Sequence, residues 1–138
     1  MAYTMRQPVA ADFDEAVETT RTALEDEGFG VLCDIDVQAT FEEKLEETFQ
    51  QYRILGACNP ALAHEGLGAE PDLGALLPCN VVVYETDDGA VIVSAVDPDR
   101  LIGMTDNDAL DAIAADVSDR FERVLSAIGD ELAAPSEA

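Results

Sequence analysis

The chain has no tryptophan, one histidine, one lysine and three cysteines among its 138 residues. Each scarcity excludes something. A single histidine, His64, with no candidate serine near it supports no Ser-His-Asp constellation. Three cysteines do not make a disulfide framework, so reduced thiols in a cytosol are the expectation. Only seven residues are basic against thirty acidic ones, for a formal net charge of −23. Such a surface repels nucleic acid and anionic membranes, which removes both as partners. No apolar run approaches the roughly 20 residues that cross a bilayer. The opening MAYTMRQPVAADFDE lacks a basic stretch followed by an apolar one, so secretion is not expected and a cytoplasmic location is. Phosphate loops are missing too: GLGAEPDLG lacks the Lys-Ser/Thr ending that a P-loop needs.

What is present in abundance is carboxylate, spread along the chain in ADFDEAVE, EDEG, EEKLEE and TDNDALDAIAAD. A tail of acids would indicate a disordered interaction segment; an even spread indicates adaptation of the whole surface. Self-repulsion at this density opposes a compact fold at low salt, whereas molar salt screens it to a Debye length of about 3 Å. The reading is a high-salt cytosol like that of halophilic archaea, with stability falling as salt is removed. Apolar residues make up 48% of the chain, enough for a core. One domain over 3–128 is expected, followed by a C-terminal tail at 129–138.

Along the chain, YTMRQPVA reads as a short strand that Pro8 confines to an edge or an end. Asp12 caps a helix whose inward stripe is Phe13, Val17, Thr20 and Leu24, and Gly28 ends it. FGVLCDIDV follows as a strand, with Phe29, Val31, Cys33 and Ile35 on one face, which makes Cys33 a small buried hydrophobe. Thr40 and Glu43 have the spacing of a capping box, ahead of a helix with Phe41, Leu45, Thr48 and Phe49 inward. YRILGAC is the next strand. Asn59-Pro60 is a cap and first helical residue for a short helix ending at Gly66 or Gly68. CNVVVYETDDGAVIVSAV is a hairpin turning at Asp87-Asp88-Gly89. Asp97-Pro98 caps again, and a long helix beginning near Asp106 or Asn107 lines up Leu110, Ile113, Val117, Phe121, Val124 and Ile128. The order predicts an α+β fold with a mostly antiparallel sheet, built from 29–36, 52–58, 79–85 and 90–96, on which the 107–128 helix packs. VVVY and VIVSAV are apolar on both faces, so a second cover is required, and a partner chain is the economical one.

Two cysteines each precede an asparagine, in GACNP (Cys58, Asn59) and LPCNV (Cys79, Asn80). If the two strands are antiparallel neighbours, the end of the first lies beside the start of the second and the sulfurs meet at one sheet edge. The helix after Asn59 would favour a Cys58 thiolate through its positive end. Two readings stand: small residues that pack at a tight edge, or a functional pair. As a functional pair they form a thiol redox couple or a soft-metal site for Cu(I), Zn or an iron–sulfur species. His64 is the third metal ligand available to Cys58 and Cys79, and its alternative is an exposed histidine on a helix. Asp34 and Asp36 are read as part of a solvated acidic face. An enzyme is disfavoured, because no positioned base accompanies the thiols.

The runs DEGFGVLCDIDVQATFEEKL, YRILGACNPALAHEGL, LLPCNVVVYE and VSAVDP resemble the family called domain of unknown function 302, over residues 3 to 128. The resemblance implies a small α+β fold like the half-unit of the TATA-box-binding protein, tight dimers, and no settled activity. It also marks Cys58, Asn59, Pro60, Pro78, Cys79 and Asn80 as motif positions. Cys33 stands where the pattern tolerates a threonine and is kept outside the site. DNA binding does not follow from the fold likeness, since function is not inherited with architecture. The functional expectation is a small cytosolic module that uses Cys58 and Cys79 in one pocket for thiol-based binding or redox chemistry. Its rival is a structural homodimer in which the cysteines only pack.

Overall fold

A computed structural model describes residues 2–133. Five strands form one antiparallel sheet: β1 (Thr4–Val9), β2 (Gly30–Asp36), β3 (Tyr52–Cys58), β4 (Cys79–Glu85) and β5 (Val91–Val96), in the order β1-β5-β4-β3-β2. The fold is α+β, as its sequence pattern requires. Helices α1 (Phe13–Asp26) and α5 (Asp111–Glu131) cover one face of the sheet. Three shorter ones, α2 (Val37–Leu45), α3 (Pro60–Ala69) and α4 (Pro98–Gly103), fill the connections.

The helices start where side chains can satisfy their free N–H groups. Asp12 accepts from the Glu15 amide at 2.8 Å, and Asp14 and Glu15 sit in the favourable first turn of α1. Its stripe of Phe13, Val17, Thr20 and Leu24 is buried, with the Thr20 hydroxyl donating to the Ala16 carbonyl at 2.7 Å. Gly28, at φ 86°, lets the chain reverse while Phe29 N–H bonds the Leu24 carbonyl at 2.9 Å. That reversal drops Phe29 edge-on against Phe121 of α5, ring centroids 4.9 Å apart. Burial of each such large side chain stabilises the domain by about 1.5–3 kcal/mol.

The structure departs from the sequence reading in three places. In β2 the register shifts between Val31, opposite Ala57, and Cys33, opposite Gly56. The inserted residue, Leu32, splits the expected apolar row. Val31 faces the helices, whereas Cys33 and Ile35 emerge on the other side, so Cys33 is exposed rather than buried. Asp34 is turned toward the helices, where it accepts from Arg21 of α1 and from Arg53 Nε at 2.7 Å. Arg53, with Arg21 assisting, holds the Asp34 carboxyl below its ordinary range against the opposing effect of burial. The second departure is α2, which starts at Val37 because Asp36 accepts from the Ala39 amide at 2.9 Å. It ends at Leu45 before a left-handed Glu46. Thr40 is therefore inside the helix, donating to the Asp36 carbonyl, and Thr48 and Phe49 lie beyond it. Third, α5 begins after a 3₁₀ turn at Asp108–Leu110 and runs on to Glu131. Leu132 is buried and Ala133 bridges Val9, so 129–133 pack with the domain. The remainder of the expected tail, 134–138, lies outside the described residues.

The register defines a second face of the sheet with no helix layered on it. Alternation places Thr4, Arg6 and Pro8 of β1 there, with Ile92, Ser94 and Val96 of β5 and Asn80, Val82 and Tyr84 of β4. Tyr52, Ile54 and Gly56 of β3 continue it to Ile35 and Cys33. None of these residues is acidic, in a chain with thirty acids. Helix α2 buries no residue and walls one side of this face, where Phe41 meets Phe49 (5.0 Å) and Phe49 meets Tyr52 (6.2 Å).

Candidate functional site

The antiparallel pairing of β3 and β4 sets Ala57 opposite Cys79, which places Cys58 next to it at the end of β3. Both cysteines and Asn59 line one cleft between the ends of β3 and β4, α3 and α5. Apart from the thiols and Asn59, its walls are apolar: Phe29, Ala57, Leu62, Ala63, Leu73, Leu77, Ile102, Ile113 and Val117. The cavity measures about 30 Å³, room for a water molecule or two and too small for a metabolite.

Both cysteines are free thiols, not a disulfide. Burial pushes the Cys79 thiol up to about 11, with the nearby Cys58 adding to the effect. Burial also raises Cys58. The positive end of α3 was expected to favour a Cys58 thiolate, and desolvation prevails instead. The Asn59 side chain is engaged as the cap of α3, accepting from the Leu62 amide at 3.2 Å. His64 is exposed on α3 and does not line the cleft. Among the described residues no three His, Cys, Asp or Glu groups converge as a metal set. Asn80 projects to the opposite side of the sheet from Cys79, so the second Cys-Asn pair serves two faces.

Asn80 belongs to a larger depression on the helix-free face, a trough of about 600 Å³ lined by Tyr3, Thr4, Arg6, Gln50, Tyr52, Asn80, Val82, Tyr84, Ser94 and Val96. It holds all three tyrosines of the chain and one cation, and no carboxylate. Arg6 Nη2 donates to the Tyr84 hydroxyl at 2.7 Å, and the Tyr84 and Tyr52 rings stack with centroids 5.6 Å apart and planes 14° from parallel. Burial raises Tyr52 above the usual phenol range, with Tyr84 and Tyr3 contributing. Beside the trough, Ile35, Val37, Thr40, Phe41, Phe49, Tyr52 and Ile54 form an apolar groove. The sequence reading pointed to an uncovered sheet face but not to this trough. The signal that marks it is negative: strand positions from which the acids are missing.

No helix of the described residues is long and apolar enough to cross a membrane. No curated protein matches the chain. The crystal structure of an uncharacterized conserved protein, DUF302, from Bacillus stearothermophilus is 31% identical, with a TM-score of 0.85, over 93% of this chain and 99% of that one. Residues 5–128 match the domain of unknown function DUF302, and the chain therefore belongs to that family.

Proposed function

We propose that this domain is a homodimeric binding module of a salt-rich cytoplasm, with no nucleic-acid or membrane partner, in which a second copy docks on the apolar groove between α2, β2 and β3. The observation that carries this reading is the exposure of Ile35 (45%) and Phe49 (39%) in the groove, with Leu32 (65%) and Leu45 (62%) exposed in the same segment of chain. Helix α2 buries no residue, and its one aromatic side chain, Phe41, packs on Phe49 beside Tyr52. An isologous contact sets the same patch of two copies face to face, so an acid-free groove suits a chain of net charge −23. Sedimentation equilibrium in molar KCl tests it. The wild type is expected to be a dimer at micromolar concentration, and Ile35→Glu a folded monomer with unchanged circular dichroism. A monomeric wild type, or a variant that still dimerises, overturns the reading.

A thiol-based role has one observation in its favour: Cys58 and Cys79 line the same cleft. Their raised pKa values and the cavity's size favour packing. Native mass spectrometry of protein from its own cytosol decides, against a Cys58→Ser, Cys79→Ser variant. A bound soft metal or a two-proton deficit that vanishes in the variant establishes the thiol role. Apo masses for both leave the cysteines as packing residues.

A further inference from the structure

The trough on β1, β5, β4 and the start of β3 adjoins the apolar groove beside α2, sharing only Tyr52 with it, and has a different chemistry. We propose that it binds a small aromatic carboxylate. Its volume of about 600 Å³ lies within the usual 300–1,000 Å³ of ligand sites. The stacked pair Tyr52 and Tyr84 offers a flat π wall, against which a planar ring packs better than an aliphatic chain does. Arg6 supplies a planar guanidinium, whose fork matches one carboxylate.

The electrostatic setting selects the charge. On most of this surface an anion meets only carboxylates, and Arg21, Arg53, Arg120 and Arg123 are already paired with acids. Arg6 has a neutral partner, Tyr84, and the trough walls contribute no acid. A guanidinium held by a phenol rather than a carboxylate keeps its full charge for a ligand. Asn80, Ser94 and Gln50 line the same space as neutral donors and acceptors. Together they give one fixed positive charge, a flat apolar wall and a polar rim, which is complementary to a ring bearing a single carboxylate.

All three tyrosines lie in the trough, so their ring signals in tyrosine-labelled protein report on this site. Benzoate is titrated into the labelled protein in molar KCl, with benzamide as the uncharged analogue of the same shape. Saturable shifts of the Tyr52 and Tyr84 rings are expected with benzoate, and binding about tenfold weaker or more with benzamide. Arg6→Gln is expected to abolish that preference, Arg6→Lys to keep part of it, and Arg123→Gln, remote on α5, to leave it unchanged. Tyr84→Phe removes the hydroxyl that holds Arg6 and is expected to weaken benzoate more than benzamide. Unmoved tyrosine signals, equal binding of acid and amide, or a preference that survives Arg6→Gln overturns the proposal. Unmoved signals in a protein that sediments as a dimer mean that the second copy fills the trough, so this inference can fail while the dimer stands.

Discussion

Replacing Gly56 by alanine is expected to destabilise the domain, although alanine is ordinarily the better strand residue. In an unobstructed strand the change is worth about 0.5–1 kcal/mol in alanine's favour, because glycine loses more backbone freedom on folding. Here a Cβ on Gly56 would stand 2.5 Å from Cys33 Sγ and 2.7 Å from Pro78 Cγ, with Pro78 Cβ at 3.5 Å. The two obstacles differ in kind. Cys33 is exposed and can rotate its sulfur toward solvent, at about 0.5–1.5 kcal/mol for a strained rotamer. The Pro78 ring has no such freedom and must move with its backbone. Overpacking of this type costs about 1–3 kcal/mol, which exceeds the propensity gain and reverses the sign. Denaturant unfolding in molar KCl should show a net loss of about 0.5–2 kcal/mol for Gly56→Ala. In a Cys33→Ala background the penalty should shrink without vanishing, because the 2.7 Å contact with Pro78 remains. A Gly56→Ala protein as stable as the wild type would refute the reasoning, and an unchanged penalty in the Cys33→Ala background would clear the sulfur of any part in it.

The thiols should separate by alkylation rate in the native protein, with exposed Cys33 first, half-buried Cys58 next and Cys79 last. The rise of Cys79 from 9.0 to about 11 alone lowers its thiolate fraction about a hundredfold at mildly alkaline pH. Peptide mass spectrometry after timed iodoacetamide treatment checks the order, and early labelling of Cys79 contradicts the burial assigned to it. Asp34→Asn should cost about 1–2 kcal/mol at neutral pH, since two arginines lose their shared carboxylate. The folded-state pKa of Asp34 lies below its ordinary 3.8, so its contribution is present above that value and fades as pH falls through the folded one. The gap between wild type and Asp34→Asn in thermal unfolding should therefore close in acid, and a gap that widens there refutes the ion-pair account.

Element identities were legible because their signals were local and mutually consistent. Asp12, Asn59 and Asp97 announce helices by capping chemistry, and the stripe from Ile113 to Ile128 is long enough to be unambiguous. Cys33 was misplaced because a bulge leaves no mark on a period-two pattern: one extra residue at 32 sends every later side chain of β2 to the other face. The start of α2 was missed for a similar reason, since Asp36 serves at once as the last strand residue and as the cap. For the site, antiparallel order alone brought Cys58 and Cys79 to one cleft, but their protonation depends on walls supplied by α3, α4 and α5. The trough depends on four strands, β1, β5, β4 and β3, being assembled in the right order, so no single stretch of sequence displays it.

The two outer strands also decide what kind of assembly this chain can build. At one margin Pro8 lacks an amide hydrogen, and Leu132 and Ala133 lie along β1, with Ala10 N–H bonded to the Leu132 carbonyl at 2.9 Å. At the other, β2 is bent by its bulge. Neither margin is a straight, vacant template for another strand. In molar salt, which screens charge repulsion, the deterrent that keeps acidic proteins apart is weakest, and sheets that grew edge to edge would run on into fibres. With both margins obstructed, the proposed dimer would meet on the flat of the sheet, where an isologous contact closes at two copies.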